Sequence, residues 1–188
     1  MGPPGAGKGT QAQVVAERFG IPAISTGDIF RVNVSKGTEL GVEAKRYMDA
    51  GEYVPDSVTN LMVRHRIDEP DAEKGFLLDG YPRTLAQVDE LDGMIKFTGH
   101  RLDGVVVLTG DADELVRRLT ERAQSEGRSD DTEEVVRRRQ EVYAEQTAPL
   151  IDYYRQHGLL VSVDGARPRD EVTAALLSAL DGAASKGG

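Results

Sequence analysis

The sequence predicts an α/β fold, a central parallel sheet flanked by helices in three layers. Two observations predict it: short apolar runs alternate with longer stretches of helical period, and turn or helix-start residues punctuate each change. Ala12, Val15, Ala16 and Phe19 keep helical spacing and stop at Gly20. Ala23-Ile24 follows as a short extended segment, and residues 27 to 66 carry helical signals with no apolar strand between them. Phe76-Leu77-Leu78, Val105 to Leu108 and Leu159 to Val163 read as buried strands. Between them, helix starts are marked by Thr84 with Gln87, Asp111 with Glu114, Thr132 with Val135, and Pro168 ahead of Arg169 to Leu180. A polar stretch at 123 to 131 separates two helices, and the small polar tail 182 to 188 is expected to fray.

The chain has 188 residues, which at roughly 150 per domain predicts one domain with one core. Apolar residues at 39% and charged residues at 29% fit an ordinary globular chain, and no run approaches the ~20 apolar residues of a membrane span. With no Cys, a disulfide framework and a Cys-based zinc site are excluded, and no charged-then-apolar leader opens the sequence. A cytoplasmic location is expected. The net charge of −9 argues against coating nucleic acid, yet 17 Arg against 6 Lys favours planar oxyanions as ligands.

Gly2-Pro3-Pro4-Gly5-Ala6-Gly7-Lys8-Gly9-Thr10 matches the phosphate-loop pattern G-x-x-x-x-G-K, with the hydroxyl arriving one residue late at Thr10. Glycines let several backbone N–H groups converge on phosphate oxygens, the next helix offers its positive end, and Lys8 adds a full charge. A Gly/Pro turn with one surface lysine is the bland reading, disfavoured because the loop runs straight into a patterned helix. Such a loop is launched from a buried strand, and only Met1 precedes Gly2. Losing roughly four or five buried aliphatic residues at ~1.5–3 kcal/mol each rivals the ~5–15 kcal/mol stability of a domain. A truncated or wrongly started version of a longer chain is therefore expected.

Ser25-Thr26-Gly27-Asp28-Ile29-Phe30-Arg31 sets a hydroxyl and an arginine five apart, and Phe76 to Arg83 ends a buried strand with a carboxylate, Asp79. An acid at the C-terminal end of a strand beside a phosphate loop suits a water-mediated magnesium partner. Singly, Thr26 would be a helix cap and Asp79 a turn cap; with the glycine loop they point to a site.

These segments, with L-G-V-E-A-K-R-Y-M-D-A-G, F-L-L-D-G-Y-P-R-T, the Arg-rich stretch through Arg139, T-A-P-L-I-D-Y-Y and V-D-G, resemble the adenylate kinase branch of the nucleoside monophosphate kinases over nearly the whole chain. The resemblance implies a P-loop fold that moves a phosphoryl group reversibly from MgATP to AMP, giving two ADP. It implies a core of 1–24, 55–122 and 133–188, an AMP-binding insertion at 25–54 and a short lid at 123–132, both closing over substrates. By motif, Gly5, Ala6, Gly7, Lys8, Gly9 and Thr10 correspond to the ATP cradle, with Arg118, Arg122 and Arg167 at the ATP phosphates and adenine. Thr26, Arg31, Glu52, Tyr53, Val54, Gly80, Tyr81, Pro82, Arg83 and Gln87 correspond to the AMP pocket. Arg128 and Arg139 match arginines that close on the transferring phosphate and also reach AMP. Lys8, Arg83, Arg122, Arg128 and Arg139 are thus the expected catalytic set, and Asp79 the acid that organises magnesium waters, with Asp130 and Asp131 as further candidates. The short lid leaves no place for a structural zinc. A monomer is expected, with no nucleic-acid or membrane partner.

Phosphoryl transfer needs position and charge more than proton removal, so His65, His100 and His157 are expected at the surface or at helix ends. Arg137 and Arg138 read as a solvated face paired with Glu133, Glu134 and Glu141, whereas the register assigns Arg139 to the site. A UMP/CMP-type kinase shares most of these motifs, although Thr26 with Gln87 tilts toward AMP because a Gln amide can both donate to and accept from the adenine edge. A nucleotide binder without catalysis is the reading from another class.

Overall fold

The computed structural model describes residues 1–126 and 132–184, apart from the side chains of Ala112, 122–126 and 182–184. In chain order it contains α1 (Lys8–Phe19), β1 (Ala23–Ser25), α2 (Thr26–Lys36), α3 (Glu39–Asp49), α4 (Asp56–Ile67), β2 (Leu77–Asp79) and α5 (Leu85–Thr98). Then follow β3 (Val105–Thr109), α6 (Ala112–Glu126), α7 (Glu133–Val142), a π-helical turn (Tyr143–Thr147), α8 (Pro149–Gln156), β4 (Leu160–Asp164) and α9 (Arg169–Ala184). The α/β class and the weak extended segment at 23–24 are realised, and the three apolar runs form strands, but β2 is only half-buried and starts after Phe76, and β4 starts after Leu159. The run ending at Leu78 extends to Asp79, so the carboxylate is the last strand residue.

All strand pairing is parallel. β1 pairs with β2 with Ile24 opposite Leu78, and β3 pairs with β4 with Val107 opposite Ser162. These are two separate two-stranded sheets among the described residues, where the sequence predicts one central sheet. Met1 lies alongside β3: its amine donates to the Val106 carbonyl, and its own carbonyl accepts from Leu108 N at 2.9 Å. That is the bonding of a parallel bridge, so the glycine loop does leave from a strand-like residue.

The helix starts at Thr84, Asp111 and Thr132 act as read: Thr84 and Thr132 accept from the N–H three residues on, and Asp111 Oδ1 accepts from the N–H groups of Asp113 and Glu114; Ser25, not read as a start, caps α2 in the same way. The residue capping α2 is Ser25, which frees the neighbouring Thr26 hydroxyl for another role. Helix α1 ends at Gly20 in the left-handed conformation, where its N–H bonds Glu17 O.

Two packing clusters hold the site from below. Leu108, Leu115, Val163, Val172 and Leu176 join β3 and β4 to α6 and α9 beneath the glycine loop, with Ala6 among them. Ile24, Val63, Ile67, Tyr81, Leu91 and Met94 join β1 to α4 and α5. Burying each large aliphatic side chain contributes about 1.5–3 kcal/mol, so the loop and the β2 turn are set on rigid supports. A smaller cluster of Phe30, Ala44 and Val54 ties α2 and α3 to the chain that follows them. His65 is exposed, and His100 and His157 sit at the ends of α5 and α8, as expected.

Candidate active site

The first wall of the site is the start of α1. Its N-cap is Gly7, at φ 82°, with no side-chain cap and no acid in the first turn. That left-handed turn is cheap only for glycine, and it leaves the helix's first N–H groups and positive end for an anionic ligand. The Lys8 ammonium bends over the loop and donates to the carbonyls of Gly2 (2.7 Å) and Pro3 (2.9 Å). A Cβ on Gly9 would lie 3.6 Å from Asp79 Oδ2, so the β2 carboxylate rests against the same helix end.

Beside the loop lies a cavity of about 480 Å³, lined by Ala6, Gly7, Thr10, Arg118, Arg167 and Pro168 among others. Arg118 donates from Nη1 to Gly165 O at 3.0 Å and from Nε to Glu114 Oε1 at 2.9 Å, which aligns its guanidinium along the cavity wall. Hydrogen bonds from Arg117, then from Arg118, hold the Glu114 carboxyl down at about 2. Arg167 is more exposed and lies 3.6 Å from Asp164.

The second wall is built around the turn after β2. Gly80, at φ 79°, leaves no room for a Cβ, which would meet Thr26 Oγ1 and Arg83 Nη2 at 2.8 Å. The Gly80 carbonyl accepts from Thr26 Oγ1 (3.0 Å) and Arg83 Nε (2.7 Å), so one oxygen gathers two predicted residues. Thr26 is 2% and Gln87 1% exposed, which makes their hydrogen bonds obligatory rather than decorative. The Gln87 amide donates to Asp56 Oδ1 (2.6 Å) and accepts from Arg83 N (2.7 Å). Tyr81 is buried and its hydroxyl donates to Asn60 Oδ1 at 2.8 Å; burial, reinforced by Glu90 and Asp56, raises its pKa. A cis peptide bond joins Tyr81 to Pro82. Arg31 pairs with Asp28 at the edge of this region and packs over Gly27.

The chain after α3 and the π-turn complete the enclosure. The Arg83 guanidinium stacks 4.8 Å from the centre of the Tyr53 ring. Thr147 Oγ1 donates to Arg83 O at 2.8 Å, and since a hydroxyl has one hydrogen, Tyr53 OH is the donor in its 2.7 Å contact with Thr147. Val54 is buried, and its carbonyl accepts from Thr59 Oγ1. From α7, Arg138 donates to Glu52 at 2.7 Å and to Glu141 at 3.0 Å, while Gln140 donates to Pro4 O at 3.1 Å. Helix α7 therefore reaches from the Glu52 segment to the glycine loop, with the half-buried Arg139 between these two anchors.

Most of the residues read from the sequence are gathered on these two walls. Arg138 does pair with Glu141 on a partly exposed face, and it also makes a long-range ion pair with Glu52 that the sequence did not show; Glu52, then Glu141, raise its pKa, and Arg137 pairs with Glu133 on the surface. Arg122 lies in α6, but its side chain is outside the described residues, as are Arg128, Asp130 and Asp131 and so most of the lid. Asp56, Thr147 and Gln140 were missed. Thr147 stood inside the T-A-P-L motif with no role attached, and nothing local distinguishes Asp56 from an ordinary first-turn acid.

Residues 1–159 match the family described as adenylate kinase. A protein of a Nocardioides species named adenylate kinase is 74% identical over 181 residues, covering 96% of this chain and 95% of its own length. Proteins of the same name from Kocuria rhizophila and Renibacterium salmoninarum are 59% and 58% identical, each over at least 94% of both chains.

Proposed function

The chain belongs to the adenylate kinase family, and from that premise we propose how its residues divide the labour of phosphoryl transfer between ATP and AMP. It is a phosphotransferase that works reversibly, giving two ADP. The observation that carries the reading is the arrangement at the helix end: Asp79 rests against the start of α1 at Gly9, Lys8 folds over the glycine loop, and α7 bonds that loop through Gln140 and bonds Glu52, next to Tyr53, through Arg138.

ATP lies with its phosphates in the cradle Gly5 to Thr10 and its base in the cavity by Arg118 and Arg167. Helix dipole, backbone donors and Lys8 balance the triphosphate charge, which the chain's net −9 would otherwise repel. AMP occupies the opposite wall. Its phosphate is gripped by Arg83 and Arg31, and its base meets Thr26, Val54 and Gln87. Arg122, Arg128 and Arg139 close on the phosphoryl group in flight, where fixed guanidinium groups stabilise charge in a water-poor site.

Hard oxygen donors suit Mg²⁺, and Asp79, set against the start of α1, would hold it through water. The ion, bound with ATP, would neutralise charge on the phosphate oxygens. Residues 25–54 and 123–132 close over the two nucleotides and exclude water, with Tyr53 and Glu52 as the contacts through which the first segment engages the core. The enzyme acts as a cytoplasmic monomer; no helix among the described residues is long and apolar enough to cross a membrane.

A coupled ADP-forming assay with MgATP and AMP, CMP, UMP or GMP as acceptor tests this reading. Turnover is expected with AMP and to fall steeply with the others. Equal use of CMP or UMP would transfer the chain to the pyrimidine kinases, and nucleotide binding without turnover would make it a binder.

A further inference from the structure

The Gln87 amide offers two N–H donors and two acceptor lone pairs. In the structure one donor goes to Asp56 Oδ1 at 2.6 Å and one lone pair accepts from Arg83 N at 2.7 Å. These partners are not interchangeable: a carboxylate only accepts and a backbone N–H only donates. Turning the amide end for end would set oxygen against oxygen and N–H against N–H, in a side chain only 1% exposed. The orientation is therefore dictated from both sides.

Asp56 is itself held. Its second oxygen accepts from Thr84 Oγ1 at 2.9 Å, and the same Thr84 oxygen caps α5 by accepting from Gln87 N at 3.2 Å. Three residues from two helices close a ring: Asp56 opens α4, Thr84 caps α5, and Gln87 stands one turn inside α5. What remains of the Gln87 amide is one N–H and one lone pair, in fixed order.

We propose that Asp56 is a positioning residue that determines acceptor specificity, because it fixes the order in which Gln87 presents its remaining donor and acceptor to the base of the nucleoside monophosphate. The proposal rests on the reading of Gln87 as a base contact. Adenine carries an amino donor beside a ring-nitrogen acceptor. Guanine and uracil present a carbonyl acceptor beside a ring N–H, the reverse order. Cytosine shares the adenine order, so the device separates AMP from GMP and UMP and leaves CMP to be excluded by size. A buried amide facing the reversed edge leaves both partners unpaired, which is the kind of mismatch that discriminates strongly.

The test compares Asp56→Ala, Asp56→Asn and Gln87→Ala for the kcat/KM ratios AMP/GMP, AMP/UMP and AMP/CMP, with the KM for ATP measured alongside. For Asp56→Ala the AMP/GMP and AMP/UMP ratios should fall by about 3- to 10-fold, the worth of one buried hydrogen bond, through a raised KM for AMP. The AMP/CMP ratio and the KM for ATP should move much less, which general destabilisation would not produce. Asp56→Asn keeps an oxygen for Gln87 and should recover most of the selectivity. Should Asp56→Ala fail to fold, Asp56→Ser gives the same readout. Unchanged ratios in Asp56→Ala together with reduced ones in Gln87→Ala would overturn the positioning role while sparing the base contact. Unchanged ratios in Gln87→Ala would overturn the base contact and the proposal with it. Independently of activity, the Gln87 side-chain amide resonances in ¹⁵N-labelled protein should shift in Asp56→Ala, and identical resonances would also refute it.

Discussion

Lys8 spends its charge on its own loop, bonding the carbonyls of Gly2 and Pro3, and must exchange those bonds for phosphate oxygens when ATP arrives. Replacing it by Ala removes a charge aimed at the transferring group without opening a buried cavity. Turnover should drop by roughly 100- to 1,000-fold with circular dichroism unchanged; near-normal turnover would remove Lys8 from the catalytic set. Glu114 makes a second residue-scale prediction. Its carboxyl, at about 2 through Arg117 and Arg118, lies below the ordinary 4.5, so its ion pairs add stability above 4.5 that is lost as the pH falls toward 2. Side-chain NMR titration should find this value, rising toward the ordinary one in Arg117→Ala; an unshifted Glu114 would show that the pairs do not persist in water. Lys8 and Arg83 were legible in the sequence because their spacing to glycine and proline is local. The long-range partner of Arg138 was not, because Glu52 lies 86 positions away.

Between elements, the apolar clusters bring the helices and strands together, and a few polar bonds then set the walls of the site. The π-turn places Thr147 where it receives the Tyr53 hydroxyl and supports the Arg83 carbonyl. Thr147→Val keeps the shape and deletes the bonds, leaving the half-buried Arg83 carbonyl without its donor and the Tyr53 hydroxyl without its acceptor, so unfolding in urea should show a loss of about 1 kcal/mol. The KM for AMP should rise with it, since the Arg83–Tyr53 stack loses its support. No change in either would disconnect this turn from the acceptor wall. Helix starts and the C-terminal stop of α1 could be read in advance, because capping is decided within four residues. The π-turn could not: the periodicity of Tyr143 to Thr147 is indistinguishable from ordinary helix.

At the scale of the molecule, the two nucleotides are expected to hold together walls that belong to different packing clusters. ATP at about 100 times its Kd should stabilise the fold by ~2.7 kcal/mol, a rise in Tm of about 5–10 °C for a chain of this size. A Tm indifferent to ATP would mean that the loop and the adjoining cavity do not form a binding site. The sequence by itself determined the class, several helix starts, the stop of α1, the glycine cradle and the strand-end acid, because each follows from backbone sterics, local capping or apolar period. It did not show that α6 runs through Glu126 and α9 through Ala184, where 123 to 131 reads as a loop and 182 to 188 as a tail. Only the tertiary structure decided that the strands pair as two doublets, that Arg138 crosses to Glu52, and that Asp56 and Thr147 govern Gln87 and Arg83. Those contacts join residues 31 to 86 positions apart, and their energy exists only once the apolar clusters have brought the partners within hydrogen-bonding distance.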